Sequence, residues 1–203
     1  VALHLSLASI FVAILILQYV MMRQKEGADW KCLTSPKEFK ETEMKRISML
    51  TASVFILLIL GAWVSSTAGG NYNQGCSIGF PDGWPKCQGE LLPSMDGAGV
   101  IVQMVHRIGA GLVGIALVLG SMKLKEKTIQ FDADNAYSMC MNLSVATWVA
   151  NVFVGGSYIV FADSGDFPEG FSLLHLVIGV LSFLTAATAW ILLKISHGVS
   201  EDE

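Results

Sequence analysis

The sequence predicts an all-α integral membrane fold of five transmembrane helices, on three observations. Apolar residues make up 53% of the 203 positions and charged residues only 15%, a balance foreign to ordinary soluble domains. Five apolar runs, residues 2–22, 47–64, 98–122, 137–162 and 171–195, approach or exceed the length a bilayer core asks for, about 20 residues at 1.5 Å rise each. The punctuation lies between the runs. All five prolines (Pro36, Pro81, Pro85, Pro93 and Pro168) fall outside them, as uninterrupted helices require. Lys194 closes the fifth run, and Arg107 is the one charged residue set well inside any of them.

The first run (1–22) begins beside Val1 with no charged segment ahead of it, which is unlike a signal peptide. It is expected to be a helix of a longer or processed chain. Residues 23–46 carry both signs of charge and are expected to form a solvated loop with at most a short surface helix. The stretch 65–97 is rich in Gly, Asn, Pro and aromatic residues, which predicts an ordered loop anchored at the membrane interface by Trp63, Phe80 and Trp84. Runs two to five, residues 47–195, are expected to form one bundle. The polar tail 196–203, ending in Glu201-Asp202-Glu203, is expected to be solvated.

The basic residues give an orientation. Seven (Arg23, Lys25, Lys31, Lys37, Lys40, Lys45 and Arg46) lie between runs one and two; Lys123, Lys125 and Lys127 follow run three, and Lys194 ends run five. Only Lys86 lies on the opposite side. The positive-inside rule then puts the N-terminus outside and the C-terminus in the cytoplasm of a cell with this chain in its plasma membrane. The net charge of −4 and the lack of a basic run give no footing for nucleic acid.

His4, His106 and His175 open runs one, three and five, all of which enter from the same side. They should lie at similar depth. A lone histidine in such a helix is ordinarily hydrogen-bonded to a neighbour or facing a wet vestibule; three at one level suggest a shared ligand. Each has a small residue one turn on, Ala8, Ala110 and Gly179, which leaves either a flat shelf for a planar macrocycle or a surface for close helix packing. Arg107 offers a guanidinium suited to carboxylates such as haem propionates. No Cys, Asp or Glu adjoins the histidines, so zinc or non-haem iron would lack most of its usual ligands. Two histidines from facing helices suit six-coordinate haem b better. His197, in the tail, is read as solvated.

Cys76 and Cys87 fall in the outer loop, an oxidising side, whereas Cys32 and Cys140 lie toward the inner side. A structural Cys76–Cys87 disulfide is the favoured reading. A redox-active pair is the alternative, although the spacing is not that of a CxxC motif.

With these residues in place, the chain resembles the haem A synthase family. Leu60-Gly61-Ala62-Trp63-Val64 with Thr67-Ala68-Gly69 is similar to its LGAxVRxTGxG helix end, with Ser65 where arginine is usual. Cys76 and Asp82-Gly83-Trp84-Pro85-Lys86-Cys87-Gln88-Gly89 resemble its cysteine loop, here with a longer spacing and an inserted Gly83. Gln103-Met104-Val105-His106-Arg107 resembles its HR helix, and Leu174-His175-Leu176 its last histidine helix. The resemblance covers about residues 47–195 and implies two related four-helix halves. Helices 2–5 would be the haem-binding bundle of the cofactor half, and helix 1 the end of a preceding half.

The resemblance further implies that His106 and His175 ligate haem b, with Arg107 and Gln103 in the same site. His4 would serve substrate haem O with a partner from elsewhere, either a missing N-terminal half or a second copy. The family's substrate half carries a glutamate three residues before the HR histidine; Gln103 stands there and cannot act as a base. The implied activity is oxidation of the C8 methyl of haem O to a formyl group, with electrons passing through the bis-histidine haem. The alternatives are a non-catalytic haem b-binding or structural subunit of a respiratory oxidase assembly and, third, a disulfide-relay protein.

Overall fold

A computed structural model describes residues 2–65, 75–163 and 166–199. Its five long helices are α1 (Ala2–Lys25), α2 (Lys37–Val64), α3 (Ala98–Gln130), α4 (Ala136–Val160) and α5 (Glu169–Ile195). Each is long and apolar enough to cross a membrane. Thr67-Ala68-Gly69 and Glu201-Asp202-Glu203 lie outside the described residues.

Helices α2 to α5 form a closed ring of neighbours in which α2 packs on α3, α3 on α4, α4 on α5 and α5 back on α2. Small residues let the backbones approach. A side chain at Gly120 would strike Leu50 of α2, and one at Gly109 would meet Leu57 at 3.0 Å. Between α4 and α5 the serines bond reciprocally. Ser144 Oγ donates to the Ser182 carbonyl at 2.9 Å, and Ser182 Oγ donates to the Ser144 carbonyl at 3.0 Å. Both serines are fully buried, so each bond satisfies a hydroxyl that has no water to turn to.

Helix α1 stands outside the ring, against α5 and α2. Only Ser9 and Val20 of its residues are buried. Leu3, Leu7, Phe11 and Leu15 are exposed, the pattern of a helix whose surroundings are lipid.

The charged end of the bundle differs from the expected solvated loop over 23–46. Helix α2 starts at Lys37, ten residues before the apolar run, because Phe39, Glu43, Ile47 and Leu50 recur at helical spacing and are all buried. Charge on the opposite face ends the apolar run without ending the helix. Helix α3 likewise continues to Gln130 on the buried Leu124 and Thr128. The intervening chain is packed as well. Phe39 sits 5.6 Å from the Tyr137 ring, and the Tyr137 hydroxyl donates to the Cys32 carbonyl at 2.6 Å. The tail does not simply project into solvent. Strand β1 (Thr34–Pro36) pairs in parallel with β2 (His197–Val199), Ser35 and Ser196 hydroxyls meet at 2.8 Å, and Lys40 donates to the Lys194 and Ser196 carbonyls. His197 Nε2 lies 3.0 Å from Gln24 Nε2, which ties the tail to the end of α1.

At the opposite end the chain between α2 and α3 folds over the bundle. Cys76 and Cys87 are joined in a disulfide. Gly79 N–H donates to the Ile159 carbonyl at the end of α4. Trp84 turns inward onto Gly156, whereas Trp63 and Phe80 are exposed at 48% and 70%.

Candidate functional site

A cavity of about 580 Å³ lies between α2, α3, α4 and α5 beneath this loop, within the range of pockets that enclose small-molecule ligands. His106 of α3 and His175 of α5 face one another across it, ring centres 6.4 Å apart and ring planes at 82°. The walls are otherwise largely apolar or small. Gln103, Arg107, Asn151 and Tyr158 are the larger polar exceptions, and Trp84 and Trp148 the bulkiest apolar walls.

Two glycines make room for the imidazoles. A Cβ at Gly155 of α4 would lie 2.8 Å from His175 Cε1 and 3.0 Å from Nδ1. The missing side chain lets the ring reach the α4 backbone, where Nδ1 bonds the Asn151 carbonyl at 3.0 Å. A carbonyl only accepts, so Nδ1 carries the proton and Nε2 holds the lone pair. On the other side, a Cβ at Gly61 of α2 would lie 3.0 Å from His106 Cε1. Among the described residues, neither the buried His106 Nδ1 nor the buried Asn151 Oδ1 has a hydrogen-bond partner. Polar atoms left so inside a cavity mark a space that a ligand or water completes.

Arg107 points toward the loop. Its Nη1 donates to the carbonyls of Gly83 at 2.9 Å and Lys86 at 2.7 Å, and its Nη2 donates to Gln103 Oε1 at 3.0 Å. Three of the five guanidinium hydrogens are thus spent on holding the disulfide loop and the preceding turn of α3. Gln103 is buried at 3% exposure. Its amide oxygen accepts from the guanidinium without adding a charge to the site.

Four of the residues singled out from sequence, Gln103, His106, Arg107 and His175, therefore line one cavity. His4 does not. It is exposed near the start of α1, outside the ring. Of the three small residues, Ala110 and Gly179 line the cavity, but Gly179 meets the Asn151 amide at 3.2 Å and offers no free shelf.

A family model described as COX15-CtaA, cytochrome oxidase assembly protein, matches residues 1–187. The chain belongs to this family. Among curated relatives of this COX15-CtaA protein is the haem A synthase of Alkalihalophilus pseudofirmus, 27% identical over 150 residues, which are 73% of this chain and 46% of that protein. The haem A synthase of Exiguobacterium sibiricum is 26% identical over 160 residues, 74% of this chain and 46% of that protein. That of Shouchella clausii is 32% identical over 77 residues, 37% of this chain and 23% of that protein. The chain thus spans at most about half the length of these relatives. No solved structure matches it. Family membership and the five apolar helices together make it a multi-pass membrane protein.

Gly155, Gly156, Trp148 and Asn151 also line the cavity without having been singled out from sequence, and Gly61 had entered only as part of a family motif. A glycine within a membrane helix signals close approach but not of what, and Asn151 was visible only as an uncharged amide within an apolar run.

Proposed function

We propose that helices α2–α5 bind haem b between His106 and His175, and that the chain works as the cofactor part of a haem A synthase-like membrane oxidoreductase. The observation that carries this reading is the facing histidine pair. Two imidazoles on opposite sides of one metal, each bonded at about 2 Å, have ring centres about 6–6.5 Å apart once about 1 Å from nitrogen to centre is added on each side. The observed 6.4 Å fits that spacing. The apolar walls exclude water, the fixed tautomer of His175 presents Nε2 to the cavity, and the Arg107 guanidinium sits at the rim where propionates would emerge.

Bound haem would supply one-electron transfer. The substrate oxidation proposed for the whole protein, C8 methyl of haem O to the formyl of haem A, needs a second haem site. His4 on α1 is the candidate ligand for it, with partner residues from a preceding half or a second copy of the chain. The non-catalytic alternative, a haem b-binding subunit of an oxidase assembly, is favoured by Gln103, whose amide is committed to Arg107 and takes no proton. On either reading we place the disulfide loop outside the cell and the Lys-rich end in the cytoplasm, on the distribution of basic residues.

Purified protein should show the spectrum of six-coordinate low-spin haem, and either His106→Ala or His175→Ala should abolish that signature. An unchanged spectrum in either variant overturns the ligand assignment. Mass analysis of the extracted haem separates the two readings: haem O or A supports synthesis, and haem b alone the subunit.

A further inference from the structure

We propose that the two histidines are unequal ligands: His175 is the fixed one and His106 the exchangeable one. The iron face that His106 covers is then a binding site for a small neutral ligand such as a diatomic gas. This rests on the haem reading above and goes beyond it, since a symmetric bis-histidine site offers no open face.

The inequality is built into the two sides of the cavity. On the α4–α5 side, the His175 Nδ1–H is bonded to the Asn151 carbonyl at 3.0 Å. Such a bond fixes the ring's rotation and tautomer and makes the other nitrogen a better donor to a metal. Gly155 is what permits it, because any side chain there would overlap the imidazole. The surroundings hold the arrangement in place. Trp84 fills the space beside Gly156, and the Asn151 amide fills that beside Gly179.

On the α2–α3 side, His106 Nδ1 is buried and has no hydrogen-bond partner among the described residues. Gly61 approaches the ring at Cε1, 3.0 Å from where its Cβ would be, and offers contact without a hydrogen bond. A buried donor or acceptor left unpaired is a standing cost of the bound position, one that rotation of the ring can relieve. Small residues, Gly61, Ala62 and Ala110, line this side of the cavity and leave the ring space in which to turn. The exchange itself is simple. With haem bound, His106 Nε2 would give up its place to the incoming ligand, one bond exchanged for another with no electron or proton changing hands.

The test uses the unaltered haem-loaded protein first. Reduced protein should bind carbon monoxide with loss of the six-coordinate bis-histidine spectrum. After photolysis of that adduct, the iron–histidine stretching band should report the histidine that stayed. Gly155→Ala, which disturbs only the His175 anchor, should shift this band; Gly61→Ala should leave it where it is. In a second measurement, His106→Gly should retain haem as a high-spin five-coordinate species to which added imidazole restores the low-spin form. His175→Gly should retain at least tenfold less haem. A bis-histidine protein that binds no carbon monoxide overturns the proposal, as does a band that answers to Gly61→Ala instead, or equal haem loss in the two glycine variants. Absence of any low-spin haem from the unaltered protein removes the haem reading itself, and is distinguishable from each of these.

Discussion

Gly155 shows how little a single position needs to carry to decide a site. Gly155→Ala puts a methyl within 3 Å of the His175 ring, and overpacking of this kind costs about 1–3 kcal/mol. The variant should therefore melt lower than the parent, while Gly111→Ala, which meets nothing within 4 Å, should melt unchanged. Equal melting temperatures would refute the stated role. Arg107 makes a second case. Its bonds to the Gly83 and Lys86 carbonyls need the planar fork that lysine lacks. Arg107→Lys should expose residues 79–90 to limited proteolysis, visible as new cleavage products by mass spectrometry. His106, Arg107 and His175 were legible in the sequence because a polar group in an apolar run stands out. The sequence also suggested Arg107 for a carboxylate; its actual partners include backbone carbonyls, which no residue type announces. Trp84 was legible as an anchor, though not as a cavity wall, because its contact with Gly156 depends on how the loop folds back.

Among the helices, the sequence located all five by their apolar runs but misjudged where α2 begins. A hydropathy run stops at Lys45-Arg46, whereas a helix continues for as long as one face finds partners, here Phe39 and Glu43. The same packing bears on the short turn Lys31–Leu33. Cys32 is partly buried there, and burial first, then the Asp134 carboxylate, raise its thiol above the ordinary range. Both effects disfavour the thiolate, the reactive form. Alkylation of Cys32 at mildly alkaline pH should be slower than that of a free thiol and should accelerate only as pH climbs past the raised value. Asp134→Asn should speed it at a given pH. A rate equal to that of a model thiol contradicts this. Between α4 and α5, Ser182→Ala removes the cross-helix donor to the Ser144 carbonyl, which still accepts from Thr147 Oγ1 of its own helix. The cost should be small, about 0.6 kcal/mol for a hydrogen bond within a membrane, and a shift in unfolding midpoint well above that would mean the pair does more than pin two helices.

Taken as a whole, the protein is a ring of four helices closed at one end by a crosslinked loop and at the other by the β1–β2 pair. Opening the crosslink with Cys76→Ser and Cys87→Ser frees a loop of about a dozen residues, worth about 2–3 kcal/mol in the chain-entropy model. The double variant should lose amide protection across residues 75–97 before the helices do. Simultaneous loss everywhere would show that the loop is integral to the bundle. The fold class, the ring of helices 2–5 and the cavity's histidines and arginine were thus readable from hydropathy and charge, whereas Asn151 and Tyr158 were not. The tie between residues 34–36 and 197–199 was not, because three-residue strands leave no periodic signature.

The loop is fastened on two sides, to α4 through Gly79 and Ile159 and to α3 through Arg107. Traffic through that end would have to undo these fastenings and withdraw Trp84 from its seat on Gly156. A guest coming from the loop end would have to part three contacts at once, so loosening any one of them should ease its passage.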